Sequence, residues 1–297
     1  MAHIKREQLA AIGIHYVYYP LDYMLDSQAK AGYKTIEMLG MAPHYLMDET
    51  GYQDPVELRK KVEARGMTIG CYTPECATYY YTMNAPEGGF HDRSMEYFKR
   101  GLEAAEKMGA KKLLTNCIGA PFDEEYNRAY DRAVRSLKEL SKTAADHGIT
   151  IAVETVRPEE SRVVITLPEL VRLLKDVGSP NVKAGLDTVA MGVAGETPRQ
   201  WFETLGSDIV HTHFIDGRPY AHLVWGDGLY PLEKYLNVLN EFGYEGLLGQ
   251  EITDGRYFDD PAAADMRNFK AFEPFFENCK EEMRWRHQKS AANRWWA

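Results

Sequence analysis

Four side chains that can bind a metal ion each stand at the end of a short apolar run of the sequence. The runs read "IAVETV" with Glu154, "AGLDT" with Asp187, "VHTHFID" with His213 and "LGQEIT" with Glu251. A single acidic residue at such a point is typical of a helix N-cap or a solvated loop. Four in series are hard to explain in that way, and three buried carboxylates would repel one another without a cation. The pattern therefore predicts one divalent metal ion bound by these four side chains.

The donor set also indicates the kind of metal ion. Three carboxylates and one imidazole supply mostly oxygen ligands, which suit Mn²⁺, Mg²⁺ or Co²⁺ better than a structural zinc site. We expect Mn²⁺, with Mg²⁺ and Co²⁺ as alternatives.

The elements that must position these side chains follow a regular alternation of short apolar runs with longer amphipathic runs. Eight strands and six helices are predicted from it. The strands are Ile12–Val17, Thr35–Leu39, Thr68–Tyr72, Lys112–Asn116, Ile149–Glu154, Val182–Asp187, Ile209–Phe214 and Gly246–Glu251. The helices are Pro55–Arg65, Met95–Met108, Glu125–His147, Leu167–Asp176, Pro198–Leu205 and Pro231–Phe242.

This alternation predicts an α/β fold, a single-domain (β/α)8 TIM barrel, because strands that alternate with helices pair in parallel through right-handed crossovers. The carboxyl ends of barrel strands meet at one mouth, so the four candidate ligands would converge there. A doubly wound open sheet is the structural alternative, but no glycine-rich phosphate loop follows the first strand. We assign residues 1–285 to the barrel and residues 286–297 to a basic, Trp-rich tail.

Composition narrows the classes of protein and partner. Of the 297 residues, 44% are hydrophobic, and the net charge of −9 would repel a phosphate backbone, which argues against nucleic acid as a partner. The four cysteines form no CxxC pair, and the N-terminal stretch "MAHIKREQLAAIG" lacks the apolar core of a signal peptide. No apolar run is long enough for a membrane helix. We therefore expect a cytoplasmic protein without a membrane partner.

Several longer motifs resemble a known family. They lie between about Gly32 and Thr253 and read "GYKTIEMLGMAPH", "IGCYTPE", "ETVRPEES", "HTHFIDG" and "GDGLYPLEKYL". Together with the Glu–Asp–His–Glu series they resemble the xylose isomerase-like barrels, and within them the 3-epimerases of D-tagatose, D-psicose and fructoselysine. The resemblance implies a metal-dependent epimerase or isomerase of a small sugar or sugar conjugate.

The resemblance also implies roles for individual residues. Glu154 and Glu251 would bind the metal and act as acid and base across the substrate, through an enediolate that the cation stabilises. Glu160 matches a position that binds substrate, and Arg218 is the arginine after the metal histidine, one residue earlier than in the free-ketose epimerases. One departure is Ala190, since the free-ketose epimerases usually carry a histidine three residues after the metal-binding aspartate. That departure puts a simple ketohexose substrate in doubt.

Position along the strands suggests further substrate contacts. His211 shares a strand face with His213 and is either a second donor at the site or a core histidine. The segments after the first three strands could also reach the mouth. The tyrosines there would form an aromatic floor for a sugar conjugate, or else pack a lid or a subunit interface. The candidates in these segments are His15, Tyr16, His44, Glu75, Tyr79 and Tyr80.

Other functions share this pattern. The barrel subunit of C-glycoside deglycosidases would use the same first step and then expel a leaving group, with a small β-rich subunit as partner. The tyrosines and the missing histidine favour that lyase, and inosose dehydratases follow the same logic. An endonuclease IV-like repair enzyme would need more histidines, and a non-catalytic sugar-binding barrel would not need all four ligands. The Trp-rich tail favours a homo-oligomer.

Overall fold

Eight parallel strands close into a barrel in the computed structural model, which describes residues 3–77 and 80–277. In spatial order the barrel runs β1, β10, β7, β6, β5, β4, β3 and β2, and the remaining strands β8 and β9 pair as a short antiparallel hairpin. The strands are β1 (Leu9–Ile12), β2 (Thr35–Gly40), β3 (Thr68–Pro74), β4 (Lys112–Thr115), β5 (Thr150–Glu154), β6 (Val182–Asp187), β7 (Ile209–His213), β8 (Asp216–Gly217), β9 (His222–Leu223) and β10 (Leu247–Gln250).

Helices fill most of the connections and cover the outside of the barrel. They are α1 (Leu21–Ala31), α2 (Pro55–Glu63), α3 (Gly89–Met108), α4 (Tyr126–Asp146), α5 (Leu167–Val177), α6 (Thr188–Val193), α7 (Pro198–Leu205), α8 (Leu232–Glu241) and α9 (Pro261–Phe272). The six predicted helices are all present. The single-domain (β/α)8 barrel predicted from the alternation is confirmed.

The prediction of the first strand is wrong. The pattern predicts a strand over Ile12–Val17, but β1 ends at Ile12 and a 3-10 turn follows over Ile14–Tyr16. The run "IHYVYY" has the β-branched and aromatic residues of a strand. Tertiary contacts override that preference, because the turn lets His15 and Tyr16 both reach the buried carboxylate of Asp265 on α9. These contacts join the first barrel strand to the last helix.

The strand register brings the predicted ligands to one end of the barrel. Asp187 at the end of β6 pairs directly with His213 at the end of β7, and Glu154 at the end of β5 pairs with Gly185. His213 also pairs with Gly249 of β10, two residues before Glu251. Parallel pairing in register therefore places the four side chains around the same part of the mouth.

No helix within the described ranges is long and apolar enough to cross a membrane. The Trp-rich tail over residues 286–297, and its assignment as a separate segment, lie outside the described residues.

Gly249 tests the packing that supports the mouth. A Cβ added there would lie 2.9 Å from the backbone oxygen of Thr212 and 3.0 Å from Glu37 Oε2, closer than such atoms normally approach. We expect Gly249→Ala to lower the free energy of unfolding by about 1–3 kcal/mol in urea titrations, because the added methyl group overpacks the barrel interior. Gly255→Ala is the control, since no atom lies within 4 Å of its Cβ position. Equal stability of both variants and the wild type would contradict this packing.

Candidate metal centre and active site

A cavity of about 280 Å³ opens at the carboxyl end of the barrel strands. Apolar side chains such as Ile14, Leu39 and Val156 form part of its wall, and polar groups converge on one side. Those polar groups include all four side chains predicted as metal ligands, together with a histidine that was not predicted. They are Glu154, Asp187, His213, His222 and Glu251.

His213 contacts two of the carboxylates through one ring nitrogen. Its Nδ1 lies 3.1 Å from Glu154 Oε2 and 3.2 Å from Glu251 Oε2. All three side chains are buried or nearly so. One imidazole nitrogen and two carboxylate oxygens therefore already face a common point in the cavity wall.

Asp187 serves two purposes at the end of β6. It caps the short helix α6, where its Oδ1 accepts the backbone N–H of Val189 at 2.8 Å. Its Oδ2 lies 3.2 Å from Nε2 of His222, which is also 3.2 Å from Glu251 Oε2. The N-cap reading of this acidic residue and its placement in the cavity wall are thus both correct. No histidine stands at Ala190, and His222 comes to Asp187 from β9 instead.

A second polar layer lies deeper in the barrel and fixes the orientation of His213. Glu37 of β2 binds His213 Nε2 through Oε1 at 3.0 Å and His211 Nε2 through Oε2 at 2.6 Å. Thr73 donates a further hydrogen bond to Glu37 Oε1. Because Nε2 of His213 is held on this inner side, its Nδ1 must face the cavity. Carboxylate–histidine pairs of this kind orient metal-binding histidines in other proteins.

Burial and mutual repulsion perturb the carboxyl groups of the site. Burial raises the pKa of Glu154 to about 7, and the carboxylates of Glu251 and Asp187 add to the rise against the opposing effect of His213. Burial would also raise the pKa of Glu37, but the charges of His211 and His213 and their hydrogen bonds hold it below its ordinary value. The inner carboxylate is thus balanced by its histidines, whereas burial beside two other carboxylates raises the pKa of Glu154 at the cavity.

The donor set fits a divalent cation. Asp187, His222 and Glu251 offer ligand atoms that lie within 4.8 Å of one another, as do Glu37, His211 and His213. The inner group already uses its donors on itself. The outer group borders the cavity, and its excess of negative charge is what a cation would relieve. Asp187, His222 and Glu251 could therefore hold a metal ion here, and Glu154 and His213 lie beside them in the same wall.

Glu160 also lines the cavity, bound to an arginine that the sequence did not single out. Arg157 contacts Glu160 through Nε at 3.1 Å and Nη2 at 2.6 Å. Its Nη1 donates to the backbone oxygen of Tyr220 at 2.7 Å. Arg157 thereby ties the segment after β5 to the loop between β8 and β9.

Other predicted contacts lie away from this cavity. His15 and Tyr16 are fully buried against Asp265, and His44 binds the backbone oxygen of Tyr19 through Nε2 at 3.1 Å. His211 lies in the inner layer, where it is a donor to Glu37 and not a wall residue. Arg218 is exposed in the loop between β8 and β9. The structure does not bring these five side chains to the cavity.

A second cavity, of about 850 Å³, adjoins the first and shares Met41 and Glu75 with its wall. Its lining includes Tyr80, which is 62% exposed, and the stacked pair Tyr81 and Tyr97. Two of the predicted contacts, Glu75 and Tyr80, therefore border this space. Tyr79 lies outside the described residues.

Comparison with known proteins agrees with this architecture. Residues 25–272 match the family described as xylose isomerase-like TIM barrels. The chain belongs to that family. It is 26% identical over 260 residues to fructoselysine 3-epimerase of Escherichia coli O157:H7, covering 86% of this chain and 94% of that protein. It is 25% identical over 257 residues to D-psicose 3-epimerase of Enterocloster bolteae, covering 81% and 82%.

A solved D-psicose 3-epimerase, crystallised in the presence of D-fructose, shares the fold with a TM-score of 0.71. Its sequence identity is 21%, and the alignment covers 93% of this chain and 99% of that one. The fructoselysine and D-psicose 3-epimerases that match over most of the chain are named sugar epimerases, which indicates that this chain is an enzyme.

Removing the hydroxyl of Tyr16 tests whether this residue stabilises the core or contacts the substrate. Tyr16 donates to Asp265 Oδ2 at 2.8 Å within the core, so Tyr16→Phe leaves a buried acceptor unpaired. We expect the free energy of unfolding to fall by about 1–3 kcal/mol with unchanged kcat and KM. Tyr18→Phe is the control, because Tyr18 is 77% exposed. A changed KM with unchanged stability would instead place Tyr16 in contact with substrate.

Proposed function

We propose that this protein is a divalent-metal-dependent epimerase of ketose sugars or sugar conjugates. The observation that carries the proposal is the convergence of Glu154, Asp187, His213 and Glu251 at one wall of the barrel-mouth cavity. Similarity to named 3-epimerases over most of both chains supports it. When bound, a cation such as Mn²⁺ would stabilise negative charge on the substrate oxygens as a proton leaves the neighbouring carbon.

The two glutamates would move that proton. Glu154 and Glu251 both line the cavity, and each lies beside Nδ1 of His213. In this scheme one carboxylate removes the proton from the carbon next to the carbonyl, and the other returns a proton on the opposite face of that carbon. The apolar part of the wall keeps bulk water from the carbanionic centre. Glu37 holds His213 in place and takes no part in the proton transfer.

The adjoining cavity favours a substrate with an appended group. A free ketohexose would fit within about 280 Å³, whereas the neighbouring space of about 850 Å³ would accept a side chain attached to the sugar. Tyr80 and Tyr81 offer aromatic surfaces there, and Glu49 adds an acidic group. Fructoselysine, the substrate named for one of the relatives, is a sugar conjugate of this kind.

Metal retention tests the ligand assignment. Purified protein should bind one Mn²⁺ per chain by elemental analysis after dialysis. His213→Asn should lose the ion and the activity together, because a strand-end site cannot replace a missing ligand. His147→Asn is the matched control, since His147 is a half-buried residue bound to Glu106 far from the cavity. Full metal content in His213→Asn would show that His213 is not a ligand.

Proton transfer is tested by turnover in D₂O. D-Fructose and fructoselysine are assayed as substrates, and the product should gain deuterium at the epimerised carbon, because the carboxyl groups exchange with solvent between turnovers. Glu154→Gln and Glu251→Gln should each lower kcat by about 100-fold or more. Metal content is measured in each variant, and Glu159→Gln, an exposed change on the same loop, should keep full activity.

Two outcomes would contradict this function. Retention of the original hydrogen in every product molecule would indicate direct hydride transfer instead of proton abstraction. Release of a free aglycone from a 3-keto C-glucosyl flavonoid, with no change in either ketose, would establish the lyase alternative.

A further inference from the structure

His222 is a buried histidine whose ring nitrogen reaches the centre of the site from outside the barrel. It lies on β9, in the hairpin that follows β7, and its side chain is 7% exposed. Its Nε2 lies 3.2 Å from Asp187 Oδ2 and 3.2 Å from Glu251 Oε2, and the residue lines the cavity. A polar nitrogen thus stands between two of the proposed metal ligands.

The surroundings of His222 differ from those of the proposed ligand His213. His213 ends a barrel strand, and Glu37 holds its Nε2 at 3.0 Å so that Nδ1 is presented to the cavity. Within residues 3–77 and 80–277, the Nδ1 of His222 has no carboxylate partner of that kind. His222 also belongs to a loop hairpin and not to the barrel wall. These differences favour a role toward the substrate over a role as a fixed ligand.

Binding of a cation would free the Nε2–H group of His222. The carboxylates of Asp187 and Glu251 are its acceptors in the structure, and both are among the residues that would hold a cation. A buried donor that loses its acceptors is unfavourable. A substrate oxygen in the cavity that His222 lines would be an acceptor for that group.

Three other side-chain donors in the cavity wall are already bound elsewhere. Arg157 holds Glu160 and the backbone oxygen of Tyr220, Thr73 donates to Glu37, and Asn116 donates to the sulfur of Cys76 at 3.6 Å. His222 differs from these three donors because the acceptors of its Nε2–H group are proposed metal ligands, so that a bound cation would release this group.

We propose that His222 donates a hydrogen bond from Nε2 to the substrate oxygen on which negative charge develops during proton abstraction. The role rests on the proposed function. A donor aimed at a developing oxyanion lowers the barrier because its stabilisation is greatest in the transition state. His222 would therefore affect turnover more than it affects metal binding.

Asp216 positions the hairpin that carries His222. Its buried carboxylate accepts four backbone N–H groups at 2.8–2.9 Å, from Gly217, Gly226, Gly228 and Tyr230. Glycine is required at position 228, because a Cβ there would lie 2.3 Å from Asp216 Oδ1. One carboxylate thus gathers both ends of the loop and holds β9 over the mouth.

A pair of substitutions at position 222 tests the proposed donor. His222→Leu removes the hydrogen-bond donor, whereas His222→Gln keeps an N–H group near the position of Nε2. We expect both variants to retain one Mn²⁺ per chain by elemental analysis. His222→Leu should lower kcat/KM for the ketose by about 100-fold or more, and His222→Gln should recover about tenfold of that loss. His147→Gln, away from the site, should match the wild type.

Calorimetric titration of D-fructose and fructoselysine into the Mn²⁺-loaded proteins supplies a reading that does not depend on turnover. Weaker sugar binding by His222→Leu, with full metal content and a wild-type circular dichroism spectrum and melting temperature, supports the donor. Loss of Mn²⁺ from both variants would make His222 a metal ligand and overturn the proposal. Wild-type kcat/KM and sugar binding in His222→Leu would also overturn it.

If the His222→Leu protein does not fold, the His222→Gln protein alone tests the proposal. Full metal content with a kcat/KM between about one-tenth and one-hundredth of the wild-type value then supports the donor, and an unchanged value refutes it. The proposed function fails separately: if the wild-type protein neither binds nor converts any sugar of the panel, the epimerase assignment is wrong. If the wild type binds and converts the sugar and only the effect of position 222 is missing, the assignment of His222 is wrong.

Discussion

Concentration of negative charge in and above the barrel is the constraint on which this structure depends. Besides Glu75 and Glu160 in the cavity wall, a cluster of four carboxylates lies within the barrel and at its mouth, and burial makes each of the four costly unless a donor or a cation stands beside it. Three histidines meet that need by contacting the carboxylates at 2.6–3.2 Å. The carboxylates are those of Glu37, Glu154, Asp187 and Glu251, and the histidines are His211, His213 and His222.

The inner and outer parts of this network differ in how completely they are satisfied. Glu37 has His211, His213 and Thr73 as partners, so both oxygens of its carboxylate are engaged. The outer carboxylates share fewer donors and border an open cavity. A site arranged in this way can change what its outer carboxylates bind without disturbing the barrel, because the orientation of His213 is fixed from below.

The loops above the barrel depend on the same network. Asp187 caps α6, and Thr188 donates to the backbone oxygen of Ile215 at 2.6 Å, which fixes the chain just after β7. Asp216 then gathers the loop back over the mouth, and Trp225 binds the backbone oxygen of Phe214 through its indole N–H at 3.1 Å. Side-chain contacts of Asp187, Thr188, Asp216 and Trp225 therefore hold in place the loop that carries His222.

The sequence pattern determined the barrel and the strand ends at which the four candidate ligands stand. The periodicity of apolar residues and the alternation of strands with helices can be read along the chain, and the carboxyl ends of parallel barrel strands meet at one mouth. Only the tertiary structure decided which other residues join them. Glu37 lies inside the apolar run "TIEML", and His222 lies on a hairpin whose position depends on Asp216. His15 and Tyr16 turn away from the mouth because Asp265, about 250 residues distant, offers them a buried acceptor. Contacts between residues so far apart leave no local pattern from which they could be predicted.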